Sequence, residues 1–560
     1  MEKIWLKNYE AGVPEEINPD SYSSVVDLLE QACQKYSEKP AFYNMGVTLT
    51  YKQIDEYAQE FAAYLQSKLK LKKGDRVALM MPNLLQYPIA MMGILRAGLI
   101  VVNVNPLYTV PELIHQLNDS GTQTIVVLSN FAATVQQAMP QTNLQNVIVT
   151  QIGDMLSLPK AMIIHLVLKY IKKKIPEWNI PSAIKFVDLL SAGKNLPSEK
   201  VKVTGEDIAF LQYTGGTTGI SKGAILTHRN IVANILQAES WFKPLFGGGQ
   251  EIIITALPLY HIFSLTANCL FLMKLGGLNV LITNPRDIDS VITEMHKFKF
   301  TVITGVNTLF NALMKSPRFS KLDFSSLKLA LGGGMAVQRA VAERWHAATG
   351  HPIAEAYGLT ETSPCVTMNP AQCKKYNGTV GLPVASTLVA ILDDDGHELP
   401  VNESGELAVK GPQVMRGYWQ NEAETEKVFT KDGWLLTGDI GSIDENGYVK
   451  ILERKKDMIL VSGFNVYPNE IEDALVSMPG IREAAVIGVP DENSGEAPKA
   501  FVVRDDPNVT VEDIKNFLHT KLTNYKIPKL IKFCDELPKS NVGKVLRRAL
   551  KDSSLESSKT

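Results

Sequence analysis

Apolar positions recur at helical spacing just after Thr50. Ile54, Tyr57, Ala58, Phe61, Ala62 and Leu65 share one face, and Gln53 completes a capping box with Thr50, so an amphipathic helix is predicted to begin there. Beyond it the chain alternates: a short apolar run at 77–80, a helix ending near Gly98, a second run at 99–104, a helix around 112–117 and a third run at 124–128. Continuous short apolar runs suit strands covered on both faces, so the order predicts a parallel, doubly wound sheet. Comparable alternation between 252 and 331 predicts a second α/β layer. The stretch 87–104 raises the question of a membrane span, but Gly93, Arg96 and Gly98 interrupt it, and it reads as a buried helix running into a buried strand.

From about Gly381 the texture changes to short strands parted by turn signals, Asp393-Asp394-Asp395-Gly396 and Glu445-Asn446-Gly447, as in a small β-barrel or antiparallel sheet. The charged run Glu453-Arg454-Lys455-Lys456-Asp457 then punctuates the chain. Beyond it a helix (469–477), two strands (484–489 and 500–504) and a helix (511–522) predict a small α+β unit. The expected fold class is α/β: a large N-terminal domain (1–453) with doubly wound sheets and the β-barrel, a charged boundary (454–457), and a small C-terminal domain (458–560).

Composition adds limits. With 45% apolar and 21% charged positions in 560 residues, the chain is globular, and its formal charge of -2 argues against a nucleic-acid partner and for small molecules. Cys33, Cys269, Cys365, Cys373 and Cys534 have no metal or disulfide-framework spacing, and Glu2, Lys3 and Lys7 break up any apolar leader, so a reducing, cytoplasmic location is expected. One segment, 162–175, mixes apolar residues with Lys169, Lys172, Lys173 and Lys174. Peripheral attachment to the inner membrane and an ordinary solvated surface helix are both open readings of it.

Four clusters carry chemistry. Tyr213-Thr214-Gly215-Gly216-Thr217-Thr218-Gly219-Ile220-Ser221-Lys222-Gly223 sets glycines, which let backbone N–H groups turn inward, among hydroxyls and one cation. That is a polyphosphate cradle, without the residue order of a Walker A loop. Tyr357-Gly358-Leu359-Thr360-Glu361 follows the triple glycine Gly332-Gly333-Gly334; its ring can stack a base, and its carboxylate beside a hydroxyl can hold Mg²⁺ bridging phosphates. Trp434-Leu435-Leu436-Thr437-Gly438-Asp439 ends in a carboxylate able to accept two ribose hydroxyls. Pro538-Lys539-Ser540-Asn541-Val542-Gly543-Lys544-Val545-Leu546-Arg547-Arg548 presents Lys544 near the carboxyl end. Apart from the first, each alone also reads as a common turn or basic tail.

In this order, and across most of the chain from about Ser24 to Arg548, the clusters resemble the adenylate-forming superfamily: acyl-CoA synthetases, acid-activating peptide-synthetase domains and beetle luciferases. Pro258-Leu259-Tyr260-His261-Ile262-Phe263 is similar to its aromatic/His motif, and 432–456 to the fatty acyl-CoA synthetase signature, nearest to bacterial long-chain fatty acid CoA ligases. Glu453 departs slightly, since the family more often has Asp or Gly before the hinge Arg.

The resemblance implies ATP, Mg²⁺ and coenzyme A as reactants, and a fatty acid as the acid activated for degradation or lipid synthesis. It implies catalytic roles for Lys544, His261, Glu361 and Thr214, the last two also as metal contacts. ATP or AMP would be bound by Tyr213, Thr214, Gly215, Gly216, Thr217, Thr218, Gly219, Lys222, Gly332, Gly333, Gly334, Glu355, Ala356, Tyr357, Gly358, Thr360, Asp439, Arg454 and Lys544. Residues 454–457 would be the hinge on which a mobile domain, 458–560, turns with Lys456 as pivot; Gly463 would face the thiol channel after rotation, and His261, Phe263, Val306, Gly334 and Met335 would line the acyl pocket. Medium-chain or aryl-CoA ligation, loading of a carrier protein, and a catalytically dead adenylate binder are the alternatives. Oligomeric state stays open, a homodimer being one option. Cys269, near the His261 motif, reads as a small buried residue.

Overall fold

The computed structural model describes residues 2–156, 175–214, 221–247, 249–491, 494–540 and 543–556. Two large sheets dominate. In the first, strands Ile184–Lys185, Asn146–Thr150, Thr124–Leu128, Arg76–Met80, Ile100–Asn103 and Ile208–Thr214 lie side by side in parallel, and Lys222–Thr227 adds an antiparallel edge. All side chains of Thr124–Leu128 and of Ile100–Asn103 are buried, as parallel strands covered on both faces require.

The second sheet has nine strands. Its parallel centre, Ile353–Gly358, Leu329–Gly332, Val302–Gly305, Ile252–Thr255, Leu278–Leu281 and Pro40–Asn44, is flanked by antiparallel strands at both edges. Helices Tyr51–Ser67 and Gln86–Arg96 pack on each other within one shared core. The first opens on the expected capping box: Thr50 Oγ1 accepts the Gln53 N–H at 3.2 Å and Gln53 Oε1 accepts the Thr50 N–H at 2.9 Å, worth about 1 kcal/mol. The stretch 87–104 is that second helix and a buried strand.

After residue 381 the structure corrects one expectation. Strands Leu388–Leu392, Gly405–Lys410, Leu435–Ile443 and Val449–Arg454 form an open antiparallel sheet, and the two outer strands do not close a barrel. After the turn at 455–457 comes a five-stranded sheet with helices Pro468–Val476 and Val511–His519 around a core of their own, including Ile459, Val486, Ile471 and Leu518. Its central hairpin runs Ile481–Asp491 and Gly495–Arg504, longer than the apolar runs foretold, because the ladder gives backbone partners to polar ends such as Asp491 and Glu496. Among the described residues no helix is long and apolar enough to cross a membrane. The segment 162–175 lies outside them except for Ile175.

Candidate active site

A cleft of about 2080 Å³ opens where these sheets meet. Pockets for one small ligand usually hold roughly 300–1,000 Å³, so there is room for a nucleotide and a second, long reactant. Its walls come from the carboxyl ends of parallel strands, where α/β sheets place ligands. Thr214 ends a strand of the first sheet, while Gly333, Gly334 and Met335 leave one strand of the second and Tyr357 to Glu361 another.

The phosphate cradle is pinned at both ends. Thr214 and Lys222 face each other across the antiparallel edge, and Ser221 Oγ donates to the Thr214 carbonyl at 2.6 Å. Gly215, Gly216, Thr217, Thr218 and Gly219 lie outside the described residues. Tyr213 packs below, its hydroxyl donating to Asp119 at 2.5 Å. Lys222 reaches across to Glu424 at 2.7 Å and lies 4.5 Å from the Tyr418 ring centroid. Hydrogen bonds from Lys222 and Lys427 hold the Glu424 carboxyl down at about 2. The Tyr418 hydroxyl donates to Glu361 at 2.7 Å and so aims that carboxylate.

The same cleft holds a trio built around one buried carboxylate. The Tyr357 hydroxyl donates to Asp439 Oδ2 at 2.5 Å, and Arg454 Nε meets Asp439 Oδ1 at 2.8 Å. Burial raises the Asp439 carboxyl above its usual range and Arg454 opposes that, so the pair belongs together. Lys544 enters from the small unit. Burial, then Arg454, lowers its ammonium to about 8, with Asp439 pulling the other way. The backbone sets its approach: Ser540 Oγ accepts the Lys544 N–H at 3.1 Å, and Gly543 has φ +83. A Cβ on Gly543 would sit 2.3 Å from Thr308 Oγ1, so only glycine passes there.

His261 lines the same cleft. Its Nδ1 accepts the Phe263 N–H at 3.4 Å, and burial, with the Lys544 ammonium nearby, lowers it to about 4, leaving a neutral imidazole. A π-helical turn, Leu265–Leu270, comes next and is tied to the Tyr357 segment by Thr266 Oγ1 donating to the Ser363 carbonyl at 2.8 Å. The lining also includes an apolar arm made of Ala238, Phe242, Phe271, Leu272, Val302 and Leu329.

Most of the expected site residues therefore converge: Tyr213, Thr214, Lys222, His261, Phe263, Val306, Gly333, Gly334, Met335, Ala356, Tyr357, Gly358, Thr360, Glu361, Arg454, Lys456 and Lys544 line the cleft. Asp439 sits one layer behind, on Tyr357 and Arg454. Three expected residues stand apart. Glu355 is buried behind the wall, accepting the Val337 N–H at 2.9 Å, and burial pushes its carboxyl up to about 8. Gly332 is packed against Val337 and Ile353. Gly463 is in an open turn beside the exposed ring of Phe464. Asp119, Tyr418 and Glu424, and the residues of the apolar arm, were not foreseen.

A carboxylate and a threonine hydroxyl on the wall of a nucleotide-sized cleft suit magnesium, which takes few protein ligands and completes its shell with phosphates and water. Glu361 and Thr214 meet that description. The cluster of three ligand-type side chains found among the described residues, Asp393, Asp395 and His397, is instead in an exposed turn.

Known proteins resemble this chain in sequence and in fold. The AMP-binding enzyme family model matches residues 29–419, and that of the AMP-binding enzyme C-terminal domain matches 470–544. This chain belongs to the AMP-binding enzyme family. Within the family it is 56% identical over 552 residues to a long-chain-fatty-acid–CoA ligase of Escherichia coli O6:H1, covering 99% of this chain and 98% of the relative. It is 52% identical over 557 residues to one of Haemophilus influenzae, covering 99% of each. Of solved family structures, anthranilate CoA ligase AuaEII in complex with anthranoyl-AMP matches with a TM-score of 0.86 at 25% identity, covering 97% of this chain and 100% of that one.

Proposed function

We propose that this chain is an ATP-dependent long-chain fatty acid:CoA ligase, an AMP-forming acid–thiol ligase. ATP, CoA and a fatty acid are its substrates. The observation that carries the reading is the position of the Lys544 ammonium, held between the Tyr357–Asp439–Arg454 trio and His261 in a cleft that also has an apolar arm. Two anions must meet there.

In the first half-reaction a carboxylate oxygen attacks the α-phosphorus of ATP, and the bond to pyrophosphate breaks. Repulsion between the carboxylate and the phosphate oxygens is the obstacle, and a fixed cation in a water-poor site removes much of it. Lys544 supplies that cation. Lys222 and the hydroxyl of Thr214 orient the departing pyrophosphate, Tyr357 offers its ring to adenine, and Asp439 with Arg454 receives the ribose. His261, neutral and held by the Phe263 N–H, positions the carboxylate without adding charge. Magnesium, when bound with ATP through Glu361 and Thr214, neutralises phosphate charge.

In the second half-reaction the CoA sulfur attacks the acyl carbon, AMP leaves with the C–O bonding pair, and the thiol proton is released. We assign residues 1–453 and 458–560 to two bodies that turn about Lys456, withdrawing Lys544 and bringing the Gly463 turn to the cleft. The exposed Gly463 turn and the separate core of the small unit support that assignment. We place the enzyme in the cytoplasm, a reading supported by five unpaired thiols. Peripheral membrane attachment through 162–175 is tested by flotation with anionic liposomes, where changing Lys172, Lys173 and Lys174 to Glu should abolish partitioning.

A CoA-consumption assay across saturated acids from butyrate to stearate, with benzoate and coumarate as controls, tests the function. Turnover should rise with chain length and be minimal with the aromatic acids; preference for benzoate would contradict the reading.

A further inference from the structure

The loop that delivers Lys544 runs directly into Arg547, the first residue of helix Arg547–Glu556. The Arg547 guanidinium is three-way bound. Its Nη2 donates to Asn469 Oδ1 and Glu472 Oε1, both at 2.9 Å, and these partners belong to the same small unit. Its Nη1 donates to Glu453 Oε1 at 2.8 Å, and Glu453 lies on strand Val449–Arg454 of the four-stranded sheet, on the far side of the turn at 455–457.

Glu453 is only 1% exposed, and its other hydrogen bonds explain what it anchors. Its Oε1 accepts the N–H of its neighbour Arg454 at 2.9 Å. Its Oε2 accepts the Asn469 N–H at 3.1 Å, while Asn469 Nδ2 donates to the Leu452 carbonyl at 3.1 Å. Strand and small unit are thus clamped by Asn469 and Arg547, and the cation in the clamp is Arg547. Asp457 lies 3.7 Å from the same guanidinium and 3.8 Å from Lys551, so the turn itself is drawn into the network.

This arrangement has a direct consequence for Lys544, three residues earlier on the same loop. If the small unit turns relative to the strand, the Asn469 and Glu472 contacts travel with Arg547, but the contact to Glu453 is broken. A buried carboxylate that loses its cation is strongly disfavoured. We propose that Glu453 and Arg547 form an ionic latch across the hinge, which selects the orientation that inserts Lys544 into the cleft and must open before thiol transfer. Both are positioning residues: they act through Lys544 and touch no reacting atom. The inference rests on the ligase reading above and adds a control element to it.

Two variants on opposite sides of the hinge test it in the full chain. Glu453→Gln keeps an acceptor for the Asn469 N–H and removes the charge; Arg547→Gln removes the cation. ATP–pyrophosphate exchange with palmitate should fall about tenfold or more in each, whereas CoA transfer from supplied palmitoyl-AMP should stay at the parental rate or exceed it. Arg547→Lys, which keeps the charge, should retain most of the exchange. Independently of activity, trypsin cleavage at the turn carrying Lys455 and Lys456 should accelerate about tenfold in Glu453→Gln. Parental exchange and parental cleavage in both Gln variants, or an equal fall in the two half-reactions, would overturn the latch. A parent that shows no exchange with any fatty acid would instead sink the ligase reading, and the cleavage rates would still decide the latch.

Discussion

Replacing Glu355 with Gln isolates one buried acid. The carboxyl is fully enclosed, accepts a single N–H from Val337, and is pushed from 4.5 to about 8 by burial, with Asp473 adding a like charge. Because the folded value is raised, the native state holds this proton where the unfolded chain has released it. Stability from Glu355 is therefore complete below about pH 4.5, declines as pH rises, and is lost above about pH 8. At 1.36 kcal/mol per unit, the full swing is about 5 kcal/mol, of which about 3.5 kcal/mol falls between pH 5 and pH 8. Gln keeps an oxygen for Val337 and cannot ionise. In urea unfolding at pH 5 and at pH 8, the variant should therefore gain on the parent by that order as pH rises, with an unchanged KM for ATP. Parallel stability curves for the two proteins would refute the buried-acid argument. A raised KM for ATP would return Glu355 to the nucleotide site.

Two further substitutions probe the cleft. Phe242→Leu enlarges the arm where Phe242 packs on Phe246 and Phe271, and should shift the kcat/KM optimum toward longer acids, by about fourfold for each methylene newly buried at about 0.8 kcal/mol; an unmoved optimum would place the chain terminus elsewhere. Gly543→Ala should depress adenylation through the clash with Thr308 Oγ1, and adding Thr308→Ala should restore part of it, leaving a positive-φ cost of about 1 kcal/mol. ATP–pyrophosphate exchange reads both, and no rescue by the second change would deny the contact.

Local chemistry was readable. The helix after Thr50, the alternating strands of both large sheets and the glycine-rich cradle at Tyr213 announce themselves through spacing, capping and glycine placement, whereas the motifs at Tyr357, Asp439 and Lys544 stand out only through their order along the chain and its family resemblance; all four motifs contribute to one cleft. What escaped reading depends on contacts between distant segments. Tyr418 reaches Glu361 from 57 positions away and Tyr213 meets Asp119 from 94, and neither pairing leaves a periodic trace. The missing barrel closure depends on whether two outer strands meet, which turn signals do not encode. Glu355 was drawn into the nucleotide set by its neighbours in the chain, yet along a strand successive side chains point to opposite faces, and its own faces away from the cleft. The apolar arm is a packing outcome of Phe242, Phe271, Val302 and Leu329, brought together from four separate elements.

The central claim is that a withdrawable ammonium on the small unit offsets the repulsion between acid and nucleotide. Lys544→Ala, assayed separately in ATP–pyrophosphate exchange with palmitate and in CoA transfer from supplied palmitoyl-AMP, tests it most directly. Exchange should fall roughly 10² to 10³-fold while transfer persists; exchange at the parental rate, or equal loss in both assays, would contradict the account.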